Sequence, residues 1–261
     1  MKLLALNAAI IEKTGILDAN ALLTEITDFS GFDGFQLADE WSSNAPKAFE
    51  TEGSIGGFGH IIVEGMSANS QLDRLKDCRG NVPLLALALD GQHFHGQHGR
   101  PWISGMGNLY LSCYLPKMTL TVLGLEHLDN AILPDIPIGT CLTELQTNRL
   151  FDMQQTQIRL QMMMCRAVFE ALQSLGLSPV LRYPNDIVMY IENVPHKIAG
   201  CLTELTVCRD IVESAHFGIG LNVHKAPEIT DTGLPACCIH DFISGISVGQ
   251  CCRMVCEKMA L

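Results

Sequence analysis

Apolar positions in this chain alternate between strand-like runs and one long helical period. From Val82 to Leu89 the apolar run is nearly continuous, the pattern of a strand buried on both faces. Leu109 to Leu115 reads as another strand after a glycine-rich loop, and Ile61 to Glu64 as an earlier one. Shorter runs at Val180 to Arg182, Ile187 to Tyr190, Ile198 to Leu205 and Ala215 to Leu221 are separated by turn residues. Between these groups, Phe151, Ile158, Met162, Cys165, Val168, Phe169 and Leu172 recur at helical spacing. They predict a helix over 148–175 stopped by Gly176, with Met162-Met163-Met164 as helix core. Asn69 to Lys76 reads as an amphipathic helix and Val248 to Met259 as a closing one.

Consecutive short strands with tight connections predict an α+β fold, a mixed and largely antiparallel sheet with helices such as 148–175 on one face. Residues 1–58 read differently. Leu3 to Asn7 is a short strand candidate, Asn20 to Ile26 a helical turn or two, and 31–34 and 53–59 are rich in glycine. The organisation expected is an N-terminal accessory segment, 1–58, followed by a catalytic domain, 59–261, with no C-terminal β-barrel.

Charge narrows the partners. The net charge is -11, against the basic face that phosphate backbones require, so a nucleic-acid partner is not expected. No apolar run is long enough to span a bilayer, and Met1-Lys2-Leu3 does not open a secretory signal, which predicts a soluble, cytoplasmic protein without a membrane partner. The 11 cysteines include the adjacent pairs Cys237-Cys238 and Cys251-Cys252 and no Cys-x-x-Cys. Adjacent cysteines bridge poorly, so buried, reduced thiols are expected.

Candidate chemistry lies in ordered runs. Arg182-Tyr183-Pro184-Asn185-Asp186 precedes Lys197-Ile198-Ala199-Gly200, and Gly218 to Val223 spells G-I-G-L-N-V. A lysine inside an apolar strand is costly unless it meets an anion, and the glycines allow close backbone approach. This combination points to carboxylate activation by ATP. The loop from Gly91 to Trp102 adds glycines at 91, 96 and 99, a cation at Arg100 and an aromatic wall at Trp102. Its His93, His95 and His98 lack carboxylate or cysteine support for zinc, and no protein-only metal site is expected.

The order and spacing of these runs resemble the biotin protein ligase family. The likeness spans roughly residues 60–259 and is specific over 180–223. That resemblance implies a fold like class II aminoacyl-tRNA synthetase cores. It also implies ATP-dependent conversion of biotin to biotinyl-5'-AMP, then transfer to a lysine of a biotin carboxyl carrier domain. The implied ligands are biotin as substrate, ATP, and magnesium brought with ATP, near Asp186. Residue by residue, the family's loop G-R-G-R-x-G-R-x-W lies on Phe94 to Trp102, where Gly96, Gly99, Arg100 and Trp102 agree while His95 and Gln97 stand in place of arginines. The biotin site is expected from Ser67, Asn69, Gln92, His95, Gly96, Gln97, Trp102, Lys197 and Gly200. The nucleotide is expected on Gly99, Arg100, Arg182, Asn185, Asp186 and Asn222, with Lys197 and Arg100 catalytic. Ser67 reads equally as an N-cap and Asn222 as a turn residue. A paralogue that binds biotin or a protein partner without adenylation is the alternative, and a lipoate or octanoate ligase a further one. A homodimer is an open alternative for the assembly.

Overall fold

A computed structural model describes residues 2–6, 35–38, 60–67, 83–91, 93–105, 107–128, 134–228 and 233–259. Its strands are β1 (Lys2–Leu6), β2 (Phe35–Ala38), β3 (His60–Ser67), β4 (Leu84–Gly91), β5 (Leu109–Pro116), β6 (Val180–Arg182), β7 (Asp186–Ile191), β8 (Val194–Cys208) and β9 (Ile211–Leu221). The helices are α1 (Lys117–Val122), α2 (Glu144–Phe151), α3 (Thr156–Ser174) and α4 (Val248–Lys258).

All of these strands join one sheet in the order β2-β1-β3-β4-β5-β9-β8-β7-β6. From β4 to β6 every neighbouring pair is antiparallel. From β2 to β4 every pair is parallel, and each is separated in sequence by the long connection that parallel pairing requires. The α+β expectation therefore holds, with antiparallel pairing over the part that carries the runs of glycine, lysine and aspartate singled out in the sequence. Two strands of the 1–58 segment extend the same sheet beside β3. The sequence pattern locates β1 and misses β2.

Period-two alternation divides the sheet into two faces. On β5, Leu109, Leu111, Cys113 and Leu115 join the core under the helices, as do Leu85 and Leu87 of β4 and Phe217, Ile219 and Leu221 of β9. The intervening Ala88 and Tyr110 pack with Phe94 and Trp102 on the other face. Each Leu or Phe fully buried in this way contributes about 1.5–3 kcal/mol. The continuous apolar run in β4 thus reflects two covered faces, with small alanines on the side that carries the site.

Tight hairpins set the register. The β7–β8 turn holds Glu192 and Asn193 at φ 51° and 64°, and the β8–β9 turn holds Arg209 and Asp210 at φ 50° and 65°. Asn and Asp tolerate this left-handed region, which two-residue hairpins need. These turns bring Asp186 opposite Gly200 and Gly200 opposite Gly220.

The helix expected over 148–175 is two helices. Thr143 caps α2 through a reciprocal box with Gln146, α2 ends at Phe151, and the chain turns before α3 begins at Thr156. The apolar spacing persists across the break because both helices pack on one core, which concealed the interruption. The ten described cysteines are free thiols. Burial pushes the Cys113 thiol well up, and a hydrogen bond with Cys165 together with burial raises Cys201. Among the described residues no helix is long and apolar enough to cross a membrane. The helices expected over 20–26 and 69–76 lie outside the described residues.

Candidate active site

Two glycines facing each other across adjacent strands make the floor of a cleft. The indole of Trp102 lies on them. A Cβ at Gly220 would come within 2.5 Å of Trp102 Cε2, and one at Gly200 within 2.8 Å of its Cζ3. Neither position admits a side chain while the indole stays, so the hairpin register that pairs these glycines also defines the cleft.

Trp102 is delivered by the loop after β4. Gly96 N donates to Arg100 O at 2.7 Å and Trp102 N to Phe94 O at 2.8 Å, with His95 bridging Pro101, so the loop closes as a small flap. His98 at φ 59° and Gly99 at φ 69° form its tight tip. Phe94 packs on Tyr110 with ring centroids 5.1 Å apart, anchoring the flap to β5. Tyr110 Oη in turn accepts from Gly105 N and donates to Gly105 O, at 2.7 and 3.0 Å. The Trp102 Nε1 group is buried with no hydrogen-bond acceptor among the described residues, a donor within the cleft wall.

One end of the cleft is a buried charge cluster. Lys197 Nζ sits 4.9 Å from the centre of the Trp102 ring and 3.0 Å from Asp186 Oδ1. Asp186 Oδ2 meets Arg182 Nη1, also at 3.0 Å. Lys197 is 2% exposed and Asp186 4%, so each of these charges depends on its partner. Arg182 is held by the segment before α2. Gly139, at φ 90°, would place a Cβ 2.8 Å from Arg182 Nη2, and Gly139 N donates to Tyr183 O. The lysine expected to need an anion already has one in Asp186.

Asparagines brace the cleft's edges. Asn185 Nδ2 donates to Cys201 O at 2.8 Å, fixing the loop before β7 to β8. Asn108, 4% exposed, accepts from Val223, His224 and Lys225 amides and donates to Lys225 O, clamping the chain that leaves β9. Asn222 donates to Cys237 O at 3.0 Å, which ties the end of β9 to the Cys237 loop.

Solved structures share this architecture. A mutant of the biotin protein ligase from Aquifex aeolicus, in complex with biotin, matches with a TM-score of 0.50 and 20% identity over 77% of this chain and 68% of that one. The Aquifex aeolicus biotin protein ligase in complex with biotin and ATP gives a TM-score of 0.49 and 21% identity, covering 78% of this chain and 69% of that one. The Leishmania major biotin protein ligase in complex with biotin gives 0.48 and 22%, covering 76% of this chain and 72% of that one. The chain has the fold of a biotin protein ligase. No family model matches it, and none of the curated proteins does.

Within this biotin-ligase-like fold, His95, Gly96, Trp102, Lys197 and Gly200, expected at biotin, and Asn185, expected at the nucleotide, line one cleft. Arg182 and Asp186 adjoin it through the ion pairs with Lys197. Gln97, Gly99 and Arg100 belong to the flap but do not line the cleft, and Arg100 Nε donates to Gln97 O at 3.1 Å. Asn222 is buried behind the cleft. Ser67 ends β3; its side chain, the residues that follow it, Asn69 among them, and Gln92 fall outside the described residues. Tyr110 and Ser112, to which sequence reasoning gave no site role, also line the cleft, as do Gly218 and Gly220 of the G-I-G-L-N-V run. Their alternation on β5 and β9 was the available signal. Both oxygens of Asp186 are engaged by cations, so this carboxylate does not fit a magnesium ligand, and no group of three or more potential metal-binding side chains occurs among the described residues.

Proposed function

We propose that the cleft activates biotin with ATP, forming biotinyl-5'-AMP, and passes the biotinyl group to a lysine of a biotin carboxyl carrier domain. The observation that carries this reading is the buried Lys197 ammonium beside a slot floored by Gly200 and Gly220 and walled by Trp102. A compact apolar acid matches such a slot, with its body against the aromatic wall and its carboxylate toward the lysine. The fold shared with biotin protein ligases supports a ligase of this kind, and the choice of biotin rests on the resemblance of the runs over 180–223.

In the first step a biotin carboxylate oxygen attacks the α-phosphorus of ATP. The bond from that phosphorus to the oxygen bridging the β-phosphate breaks, and pyrophosphate leaves. Lys197 holds the carboxylate and offsets charge developing on the phosphate, a role worth about 2.7–4 kcal/mol in comparable sites. Asp186 keeps the ammonium aimed while sharing it with the incoming acid. In the second step the carrier lysine's neutral amine attacks the acyl carbon, the bond to AMP breaks, and an amide forms as the amine releases a proton.

A second reading, binding without adenylation, is favoured by one observation. Arg100 is engaged by its own flap backbone, and His95 and Gln97 occupy the neighbouring positions that the family fills with arginine. Calorimetry with biotin, combined with pyrophosphate release on adding ATP, separates the two. Heat and pyrophosphate together support the ligase, heat alone supports the binder, and a response only to lipoate or octanoate overturns the choice of biotin.

A further inference from the structure

On the helix side of the sheet, away from the cleft, α3 turns a second stripe outward. Arg159, Met162, Met163, Arg166 and Glu170 fall at i, i+3, i+4, i+7 and i+11, one continuous face of the helix. They border a groove completed by Leu123, Leu125, Phe151, Met164, Lys258 and Met259. Its floor is apolar and rich in methionine, the side chain that adapts best to varied partners. The sequence reading absorbed Met162-Met163-Met164 into the helix core. Met162 and Met164 are indeed buried, while Met163 is only half-buried and meets the groove.

The rim is cationic in a chain of net charge -11. Arg159, Arg166 and Lys258 line the groove with Glu170 as the one acid among the lining residues. Arg166 is satisfied by Glu170 at 2.7 Å and lies 3.9 Å from Asp152, and nearby Glu257 is taken by Arg253. The side chains of Arg159 and Lys258 have no ion pair or hydrogen bond among the described residues. Arg159 and Arg166 stand seven residues apart on α3, about 10 Å along its axis, and Lys258 stands on a different helix. Acidic groups spaced along a segment, with apolar residues between them, complement cations carried by two helices around an apolar floor.

We propose that this groove docks an acidic, amphipathic helical segment of a partner protein, its apolar face on the methionines and its carboxylates on Arg159 and Lys258. The site is separate from the cleft and stands whether or not the cleft adenylates biotin.

The probe is a fluorescein-labelled helical peptide of roughly 15 residues, with leucines at i, i+3, i+4 and i+7 and glutamates between. Its partner control has every glutamate replaced by lysine. Anisotropy at low salt is expected to give saturable binding of the acidic peptide alone, weakening as ionic strength rises. Arg159→Glu with Lys258→Glu, both toward solvent and checked for fold by circular dichroism, should weaken binding by about tenfold or more. Met163→Gln should weaken it without changing the salt dependence. Equal affinity of wild type and the double variant overturns the proposal, as does equal binding of the lysine peptide. Absence of peptide binding overturns it too, in favour of a small acyl anion where laurate perturbs the methionine methyl resonances instead.

Discussion

The two sources of positive charge around the cleft are built differently. Lys197 stands on β8, paired on both sides, and Arg182 on the edge strand β6, paired with β7 and bridged to Cys141, and they converge on Asp186 from opposite oxygens. The flap, where the family places several arginines, offers His95 and Gln97 and an Arg100 bonded to its own backbone. Charge carried by the sheet is paired on Asp186, with Lys197 buried and Arg182 partly so. Charge carried by the flap is half-buried at the edge of the cleft, where neutral groups can replace it without disturbing the core. The difference explains how one half of a site can keep its family pattern while the other departs from it.

The sharpest break in that comparison is Asp186→Ala. It strands two cations, one of them 2% exposed, and is expected to cost about 3–5 kcal/mol of stability, read by urea denaturation. Gln97→Ala in the flap should leave the midpoint nearly unchanged. An equally small effect at Asp186 would mean that the cluster is not the paired element described.

Lys197→Ala leaves Asp186 with Arg182 as a partner, so its main effect falls on chemistry. Biotin-dependent pyrophosphate release should drop by roughly 10²–10³-fold. Unchanged release would remove this lysine from the reaction while leaving the fold assignment intact.

Gly220→Ala tests the floor rather than the charge. The new methyl would occupy the space of the Trp102 ring, and the expected cost is about 1–3 kcal/mol in overpacking together with weaker biotin binding by calorimetry. Gly99→Ala, whose added Cβ meets no atom but sits at φ 69°, should act only through local backbone strain.

The flap is probed by addition. His95→Arg with Gln97→Arg is expected to slow release of preformed biotinyl-5'-AMP by about tenfold, measured by dissociation of labelled adenylate. A smaller effect, expected on stability alone, comes from the thiols. Burial raises Cys237 from 9.0 to about 12, so the folded protein holds a proton that the unfolded chain loses earlier. Stability from this group is complete below pH 9 and declines as pH rises toward 12, visible as a falling Tm.

Much of the sheet was legible because period two survives in β4, β5 and β9, where large and small residues alternate by face. The break between α2 and α3 was not, since Phe151 and Ile158 serve the same core from either side of it. Lys197 was found as a buried cation in need of an anion, yet Asp186 was assigned to nucleotide or metal. Sequence order alone does not say that a bulge between Ile187 and Val188 and a two-residue turn fold that aspartate back onto the lysine's strand. Asn222 was chosen for its resemblance to the family's nucleotide-bonding residue, and the tie its amide makes between two backbone segments was not foreseen. Gly220 carried the least visible role, because a glycine's work as an aromatic resting place depends on a tryptophan far away in the chain.

That resting place has an optical consequence. The chain has 2 tryptophans, Trp41 and Trp102, so Trp41→Phe leaves a single fluorophore at the cleft. The ring nitrogen of Trp102 is shielded from water and a lysine ammonium stands beside the ring. Its emission should therefore lie to the blue of an exposed indole and move when a ligand enters. Occupancy of the cleft then becomes a colour change intrinsic to the protein, readable without a label and on the time scale of mixing.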